Sequence, residues 1–294
     1  MVQIINALSD ISARYRAVYC DLWGCLHNGI KPFEEAVMAL EKFKSDGGIV
    51  ILLTNSPRPA SGVYPQLDAI GVPRDLYHAI VASGDAARAA MASGAYGKKV
   101  YHIGPDRDHP FFDGVPEEDF YQGIDIERVA LDDAEGLVCT GLFDDTSETP
   151  QDYRATLLSA KNRGLKMLCA NPDIVVDRGE RRIYCAGALA EAYKDLGGEA
   201  HYFGKPHAPI YTLARQRLDS LSKTEIPNSS VLAIGDGIRT DVAGASGEGI
   251  DAIFITGGLA KSATQTDTQP NPKSLQAFLT DAQLSPEYAM GFLR

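Results

Sequence analysis

Short apolar runs alternate with amphipathic stretches over the first 80 residues of this 294-residue chain. Residues 17–20 are apolar and end at Asp21, and residues 49–55, IVILLTN, are too apolar to alternate between two faces. Between them, apolar residues from Phe33 to Phe43 recur at helical spacing, and a Gly-Gly pair follows, which predicts a helix that ends there. Runs like IVILLTN are typical of parallel strands that are covered on both faces.

The last third of the chain repeats this pattern. We expect a helix at 208–221, a strand in SVLAIGD, a short helix at 240–247 and a strand in DAIFITGG. Alternating β and α elements imply right-handed crossovers. They predict an α/β fold with a Rossmann-like, doubly wound parallel sheet.

The middle of the chain has candidate strands of its own in KKVYHIG, GLVCTG and LKMLCAN, with a helix between the last two. We therefore predict an α/β cap domain at 83–184, inserted into a catalytic core formed by 1–82 and 185–294, with boundaries good to about ten residues. The polar, proline-broken segment 261–274 is expected to be a mobile surface loop.

Composition argues against several classes of function. Acidic residues exceed basic residues by 11, which disfavours nucleic acid and anionic membranes as partners. No apolar run is long enough to span a bilayer, and the N-terminus does not read as a secretion signal, so we expect the cytoplasm. The five cysteines are scattered and form no CxxC pair, so buried thiols are expected rather than zinc or disulfides.

Polar side chains follow the predicted core strands at the point where each strand ends. They are Asp21, the segment 54–56, Lys205, Asp236 and the nearby Asp241. Because ligands bind at the carboxyl edge of open α/β sheets, we expect these groups to converge. These types of group suit phosphoryl transfer. A carboxylate can attack phosphorus, hydroxyl and amide groups can bind the phosphoryl oxygens, and a lysine with a divalent metal can neutralise their charge.

Four motifs at these positions resemble those of the haloacid dehalogenase superfamily: DLWGCLHNG (21–29), LLTNS (52–56), GKPH (204–207) and GDGIRTDV (235–242). Their order and spacing match. The long insertion between the second and third motifs resembles that of subclass IIA, the NagD-like and nitrophenylphosphatase-like enzymes, whose members carry an α/β cap over a Rossmann-like core. ANPDIVVDRG (170–179) and GALAEAYKDLGG (187–198) also resemble stretches typical of that subclass.

The resemblance implies a phosphatase that hydrolyses a small-molecule phosphate monoester through an aspartyl-phosphate, with Mg²⁺ as cofactor. Asp21 would be the nucleophile, and Lys205 would balance the charge of the phosphoryl group. The family pattern places Mg²⁺ on the Asp21 carboxylate, the backbone carbonyl of Trp23 and Asp236. Asp241 would act on the ion indirectly or orient Lys205.

The other residues that the resemblance assigns to the site face the substrate. Thr54 and the Asn55 amide, with Ser56 beside them, would hold the phosphoryl group. Asn171 and Asp173 would shape the cap segment that faces the core, although the same two residues would also suit a plain turn. The resemblance also allows a homodimer, since caps of this type often offer dimer surfaces.

Position 23 departs from the family pattern. Phosphatases of the superfamily usually carry a second aspartate there, as general acid and then base, whereas this chain has Trp23. General acid–base catalysis contributes roughly 10²–10⁴ in rate. The change therefore predicts a slow enzyme or one that needs good leaving groups, unless His27 or His207 replaces the missing acid. Trp23 itself would either pack under the cap or stack against a flat substrate.

Two alternative functions stay open. A phosphometabolite-binding or regulatory protein would keep the pocket and lose efficient chemistry, and Trp23 is the feature that favours it. The dehalogenases of the superfamily also carry an aromatic residue at this position, but they act without Mg²⁺ and lack the acidic pair that Asp236 and Asp241 form here. Metal-free dehalogenation therefore ranks last.

Overall fold

The computed structural model describes residues 2–113, 126–178 and 181–294, so the last residue of the ANPDIVVDRG segment lies outside the described residues. The larger of its sheets is parallel throughout. From one edge to the other its strands are β1 (Gln3–Ile4), β14 (Tyr288–Met290), β13 (Asp251–Ile255), β12 (Val231–Gly235), β2 (Ala17–Cys20), β3 (Ile49–Thr54) and β4 (Ala79–Ala82).

Helices cover both faces of this sheet. Alternation along β2 sends Val18 into one core layer, which also contains Leu40, and sends Tyr19 into the other, which also contains Ile210. Both faces of the central strands are therefore buried, which explains their continuous apolar runs. The helices outside the inserted region are α1 (Glu34–Ser45), α2 (Ala60–Ile70), α6 (Ala208–Leu221), α7 (Ala243–Glu248) and α8 (Pro272–Ala282).

A second parallel sheet forms within the inserted region. Its order is β11 (Glu199–Tyr202), β8 (Lys166–Cys169), β7 (Gly136–Cys139), β5 (Lys99–Ile103) and β6 (Glu127–Arg128). Helix α3 (Ser83–Ala92) leads into it, and α4 (Arg154–Asn162) and α5 (Ala186–Asp195) accompany it. The strands β9 (Val175–Arg178) and β10 (Arg181–Tyr184) pair separately as an antiparallel hairpin.

The predicted fold class, a parallel α/β core with an inserted α/β cap, is confirmed. The domain boundaries at 83 and 184 stay a prediction. Strand β11 lies after residue 184 and pairs with β8, in the second sheet. We therefore propose that the cap continues through Tyr202, because a strand that completes the cap sheet belongs to the cap core.

The expectation of a mobile surface loop at 261–274 is wrong in part. Thr264 and Thr266 are buried, and their hydroxyl groups hydrogen-bond to each other at 2.7 Å. The Thr266 hydroxyl also donates to the Thr256 hydroxyl at 2.7 Å, which ties the segment to the end of β13. The segment ends in α8, where the Asn271 side chain caps the first helical turn.

Two expectations from composition can be compared with the structure. All five cysteines are buried and free, as expected for structural thiols. Within the described ranges, none of the helices combines the length and the apolar character that a bilayer span requires.

Candidate active site

Lys205 is the centre of a buried network at the carboxyl edge of the larger sheet. Its Nζ donates to Asp21 Oδ1 at 2.5 Å, to Asp241 Oδ1 at 2.7 Å and to the Leu53 carbonyl at 2.9 Å. Lys205 is only 2 % exposed. Asp21 directly follows β2, and Leu53 lies in β3. The predicted convergence is therefore observed for Asp21, Asp241 and Lys205, but Lys205 follows β11 of the second sheet and not, as expected, a strand of the core sheet.

Asp236 follows β12 on the same edge. One of its carboxyl oxygens lies within 4.8 Å of a carboxyl oxygen of Asp21, which is close enough for one divalent ion to contact both. Its Oδ2 accepts a hydrogen bond from the Leu259 amide at 3.0 Å. A Cβ on Gly24 would lie 2.2 Å from that oxygen, and a Cβ on Gly258 would lie 1.9 Å from it. The two glycines therefore form a cradle around the carboxylate, in which a larger residue would clash with it.

The residues present fit a hard divalent cation. The Cys25 sulfur lies within the same 4.8 Å group, but burial, and then the charges of Asp236 and Asp21, raise the pKa of its thiol well above the usual range. A protonated thiol is a poor metal ligand, so the carboxyl oxygens are the ligands that this group offers. The ligand set suits Mg²⁺ or Ca²⁺ better than zinc.

Burial controls the charge state of the network. Burial raises the pKa of Asp21 to about 7, although the charge of Lys205 lowers it. Burial also raises the pKa of Asp236 well above its ordinary value, and the charges of Asp21 and Asp241 raise it further. Burial also lowers the pKa of Lys205, but Asp21 and Asp241 together raise it well above its ordinary value. Two of the three buried carboxyl groups, those of Asp21 and Asp241, contact the Lys205 ammonium group, and a bound cation would balance the negative charge of the ionised groups.

The residues after β3 form the predicted phosphate-holding segment. Thr54 is 2 % exposed, and its hydroxyl accepts a hydrogen bond from the Ser56 amide at 3.1 Å. Asn55 accepts at Oδ1 from the Lys205 amide at 2.7 Å, and its Nδ2 donates to Asp173 at 2.8 Å. The side chain of Asn55 therefore joins the lysine loop to the cap, while all three residues line the same cavity as Asp21.

The cavity has a volume of about 630 Å³ and is lined by both the core and the inserted region. Asp21, Thr54 and Asp236 lie on the core side. The hairpin β9–β10 also contributes lining residues, among them Arg182 and Tyr184. A space of this size suits a small organic molecule in a concave site.

Trp23 lines this cavity and is half-buried. Its ring lies over Gly29, where a Cβ would approach the ring to 2.3 Å, and it meets the His27 ring edge-on at a centroid distance of 5.3 Å. Gly29 has φ +80, a conformation that glycine adopts most readily. The indole is therefore held by the loop beneath it, with part of its surface open to the cavity.

Neither histidine considered for the missing acid lines the cavity. His27 is fully buried, and burial lowers its pKa to about 4. Its Nδ1 accepts from the Gly29 amide at 3.0 Å, and its Nε2 has no hydrogen-bond partner among the described residues. His207 stacks on Tyr202 with ring centroids 5.0 Å apart. The idea that either one donates a proton directly is thus not supported.

The ANPD turn does bring the two cap residues to the site. Asn171 and Asp173 both line the cavity, and Asn171 Oδ1 accepts from the Asp173 amide at 3.0 Å. The two predictions for this segment, a turn and a part of the site, are therefore compatible, because the turn places Asp173 where it accepts a hydrogen bond from Asn55 in the core.

Sequence reasoning missed three contributors to the site. Arg58 lines the cavity and pairs with Asp108 at 3.5 Å, and Gly258 closes the cradle around Asp236. The arginine lies just after the TNS segment, which is a signal that was available. Gly258 lies far along the chain from Asp236, and only the pairing of β12 with β13 brings the two together.

Comparisons with known proteins identify the family. Residues 18–115 match the family model described as haloacid dehalogenase-like hydrolase, and residues 202–282 match a second, HAD-hydrolase-like model. A crystal structure of a hydrolase of the haloacid dehalogenase-like family from Brucella suis 1330 is 39% identical, covers 99% of this chain and 100% of its own, and superposes with a TM-score of 0.86. The chain belongs to the haloacid dehalogenase-like hydrolases.

More distant similarities agree with this haloacid dehalogenase-like hydrolase fold. The 5'-nucleotidase YutF of Bacillus subtilis (strain 168) is 24% identical over 270 residues, which are 91% of this chain and 97% of that protein. A glycerol phosphate phosphatase from Mycobacterium tuberculosis, solved in complex with magnesium, has a TM-score of 0.63 at 21% identity, over 90% of this chain and 78% of that one. At that identity the likeness shows the fold alone.

The resemblance inferred from the four motifs is therefore confirmed. This haloacid dehalogenase-like hydrolase has an inserted α/β cap, as expected from its resemblance to subclass IIA, and its enzyme class is that of the hydrolases. The roles of the individual site residues stay a prediction.

Proposed function

We propose that this hydrolase cleaves small-molecule phosphate monoesters through a phosphoryl-aspartate on Asp21, with Mg²⁺ as its cofactor. The observation that carries the proposal is the contact of Lys205 with both Asp21 and Asp241, with Asp236 close enough to share a divalent ion with Asp21. The names of the similar proteins, a 5'-nucleotidase and a glycerol phosphate phosphatase, refer to substrates of this class.

The contacts of Asp21 support its role as nucleophile. Lys205 holds Asp21 Oδ1, which leaves the other carboxyl oxygen to attack phosphorus while the bond from phosphorus to the ester oxygen breaks. The Thr54 hydroxyl and the Asn55 backbone amide would donate hydrogen bonds to the phosphoryl oxygens, and Lys205 would balance their charge. Ser56, through its own amide, keeps the Thr54 hydroxyl oriented.

Asp21 and Asp236 would hold the Mg²⁺, together with the backbone carbonyl of Trp23, which the family pattern assigns. When bound, the ion supplies positive charge against the phosphoryl oxygens. Asp241 would orient Lys205, because its Oδ1 accepts a hydrogen bond from the Lys205 ammonium group. The retention of the acidic pair argues against metal-free dehalogenation, which has no use for it.

The test is phosphate release from a panel of esters, measured with Mg²⁺ and with EDTA. Glycerol phosphate, nucleoside 5'-monophosphates and p-nitrophenyl phosphate are suitable members. Asp21→Asn should reduce release by at least about 10³-fold, because covalent catalysis needs the carboxylate. Asp46→Asn, which changes a carboxylate exposed on the surface, is the matched control and should retain full activity. Full activity of Asp21→Asn would refute the proposal.

One alternative function is a phosphometabolite-binding protein with weak catalytic activity, and Trp23 is the residue that favours it. Tight binding of a panel member without any release of phosphate, by the intact protein with Mg²⁺, would favour that alternative. Halide release that persists in EDTA would favour dehalogenation instead. The cytoplasmic location, the absence of a nucleic acid partner and the homodimer stay predictions.

A further inference from the structure

The proposed function, on which this inference rests, leaves the departing ester oxygen without an evident proton donor. The indole of Trp23 cannot supply a proton at the position where superfamily phosphatases carry an aspartate. His27 and His207 do not line the cavity. A group elsewhere on the cavity wall would have to serve.

Among the described residues, seven carboxyl groups line the cavity, and most of them are already engaged. Three of the seven are paired with arginines: Asp108 with Arg58, Asp145 with Arg107 and Asp177 with Arg182. An arginine partner thus already occupies one oxygen of each of these carboxyl groups, although burial, against the charge of Arg58, raises the pKa of Asp108. Asp21, Asp236 and Asp241 belong to the proposed nucleophile and metal network. The remaining carboxyl group is Asp173.

Asp173 is held in place by both the cap and the core. Its amide donates to Asn171 Oδ1 at 3.0 Å, and its Oδ1 accepts from Asn55 Nδ2 at 2.8 Å. Asn55 directly follows the predicted phosphate-holding Thr54 and also binds the Lys205 amide. Among the described residues, no hydrogen bond to Asp173 Oδ2 is present, so that oxygen is available to the cavity.

We propose that Asp173 is the general acid of this enzyme and takes the place of the aspartate that Trp23 replaces. In the first step Asp21 forms the bond to phosphorus, the bond from phosphorus to the ester oxygen breaks, and the Asp173 proton passes to that oxygen. In the second step the ionised Asp173 accepts a proton from the water that attacks phosphorus. Phosphate and the Asp21 carboxylate are then released, and Asp173 is protonated again.

The surroundings of Asp173 favour a proton near neutral pH. Burial raises its pKa to about 6; Lys205 and the Asn55 hydrogen bond lower it, and the charge of Asp241 raises it. Asp21 also faces it, since the charge of Asp173 in turn raises the pKa of Asp21. The thiols of Cys169 and Cys185 nearby have pKa values well above their ordinary range, so they stay neutral. A bound phosphate dianion would favour the protonated form further.

Asp173→Asn tests the assignment, because asparagine keeps an oxygen acceptor for Asn55 and removes the transferable proton. We expect kcat for glycerol phosphate to fall by roughly 10²–10³-fold. The fall for p-nitrophenyl phosphate should be less than about tenfold, because its leaving group departs as a stable anion and needs little general acid catalysis. The descending alkaline limb of the pH profile for glycerol phosphate, where Asp173 loses its proton, should disappear in the variant.

A second carboxylate at position 23 provides a rescue. Trp23→Asp in the Asp173→Asn background should restore at least tenfold of the lost glycerol phosphate activity, because it returns the proton donor to its usual place. Equal losses on the two esters, with an unchanged pH profile, would overturn the proposal and leave Asp173 a positioning residue. Those outcomes differ from a failure of the proposed function, which would appear as full activity of Asp21→Asn.

Discussion

At the scale of single residues, Trp23 departs from the family pattern that the motifs of this chain otherwise resemble. Its ring packs on Gly29 and against His27 and still lines the cavity. The loop has thus been built around an indole. This placement agrees with both predicted roles of the side chain, packing beneath the cap and offering a flat face to a substrate, which use different parts of the ring.

Replacement of Trp23 separates these roles from the missing acid. We expect Trp23→Asp to raise kcat on glycerol phosphate by less than about tenfold, because Asp173 already serves as a proton donor, and to leave kcat on p-nitrophenyl phosphate nearly unchanged, because a good leaving group needs little acid catalysis. Steady-state kinetics on both esters, with Mg²⁺ present, gives the comparison. Trp23→Phe, which keeps an aromatic ring and adds no acid, is the control.

The same Trp23→Asp experiment has a clear contrary outcome. If the aryl and alkyl esters respond equally, the lack of an acid at position 23 does not limit the rate. An equal gain with Trp23→Phe would instead point to relief of crowding under the cap.

At the scale of elements, two loops meet around Asp236. Gly24 belongs to the loop after β2, and Gly258 belongs to the loop after β13. Each leaves room for the Asp236 carboxylate where a methyl group would not fit. The Leu259 amide then fixes the same oxygen at 3.0 Å. The position of the Asp236 carboxylate therefore depends on the backbone of two loops that follow other strands of the sheet.

Gly258→Ala should test this dependence. The added Cβ would lie 1.9 Å from Asp236 Oδ2, so the carboxylate must turn away from its present position. We expect Mg²⁺ affinity, measured from the Mg²⁺ dependence of phosphate release, to fall roughly 10–100-fold, as for other disturbances of groups that orient ligands. Circular dichroism should show an intact fold.

Gly247→Ala is the matched control for the glycine experiment. Gly247 lies in α7, and an added Cβ there would meet no atom within 4 Å. Alanine in a helix is favoured over glycine, by about 1 kcal/mol at most, so this variant should be slightly more stable and fully active. Unchanged Mg²⁺ affinity in Gly258→Ala would mean that Asp236 does not hold the ion.

At the scale of the whole molecule, the buried carboxyl groups of the site lower the stability of the fold when no cation compensates their charge. Asp21, Asp236 and Asp241 are each less than 9% exposed, and Lys205 forms ion pairs with Asp21 and Asp241. Buried like charges oppose folding unless they are compensated. Binding of a divalent ion to the folded state alone should therefore stabilise the protein by mass action.

Thermal unfolding should show this coupling. Mg²⁺ should raise the Tm of the wild-type protein above its value in EDTA, while Asp236→Asn should lose most of that rise. In EDTA at neutral pH the variant should unfold at least about 2 °C higher than the wild type, because a carboxyl group whose pKa is raised by burial destabilises the folded state above its unfolded pKa, and asparagine does not. Asp46→Asn should match the wild type in both conditions. A lower Tm of Asp236→Asn in EDTA would show that its hydrogen bond to Leu259 outweighs the repulsion.

Much of the core could be predicted from the sequence, because its signals are local. The run at 17–20 is β2, and the residues at 208–221 form α6. Strand β11 was missed, since EAHY carries little apolar character and its pairing with β8 is a long-range choice. The short helix expected at 240–247 begins instead as a π-helical turn, Ile238–Val242. That turn places Asp241 so that its Oδ2 accepts from the Gly237 amide at 3.1 Å.

The candidate site could likewise be predicted from the sequence only in part. The strand-end rule accounts for Asp21 and Asp236, which follow β2 and β12 of one parallel sheet. Lys205 follows β11 of the cap sheet, so that rule does not explain its contact with Asp21. The interaction of Asp173 with Asn55 depends on how the cap turn packs on the core, which no local pattern encodes. The burial of His27 likewise depends on the packing around it.

The covalent step on Asp21 is the central claim, and chemical trapping tests it most directly. The enzyme would be quenched during turnover of p-nitrophenyl phosphate with Mg²⁺, reduced with borohydride and analysed by peptide mass spectrometry. Reduction of a phosphoryl-aspartate yields homoserine, so we predict homoserine at position 21 and its absence when substrate is omitted. Active turnover with unmodified Asp21, or with homoserine at another aspartate, would contradict the account.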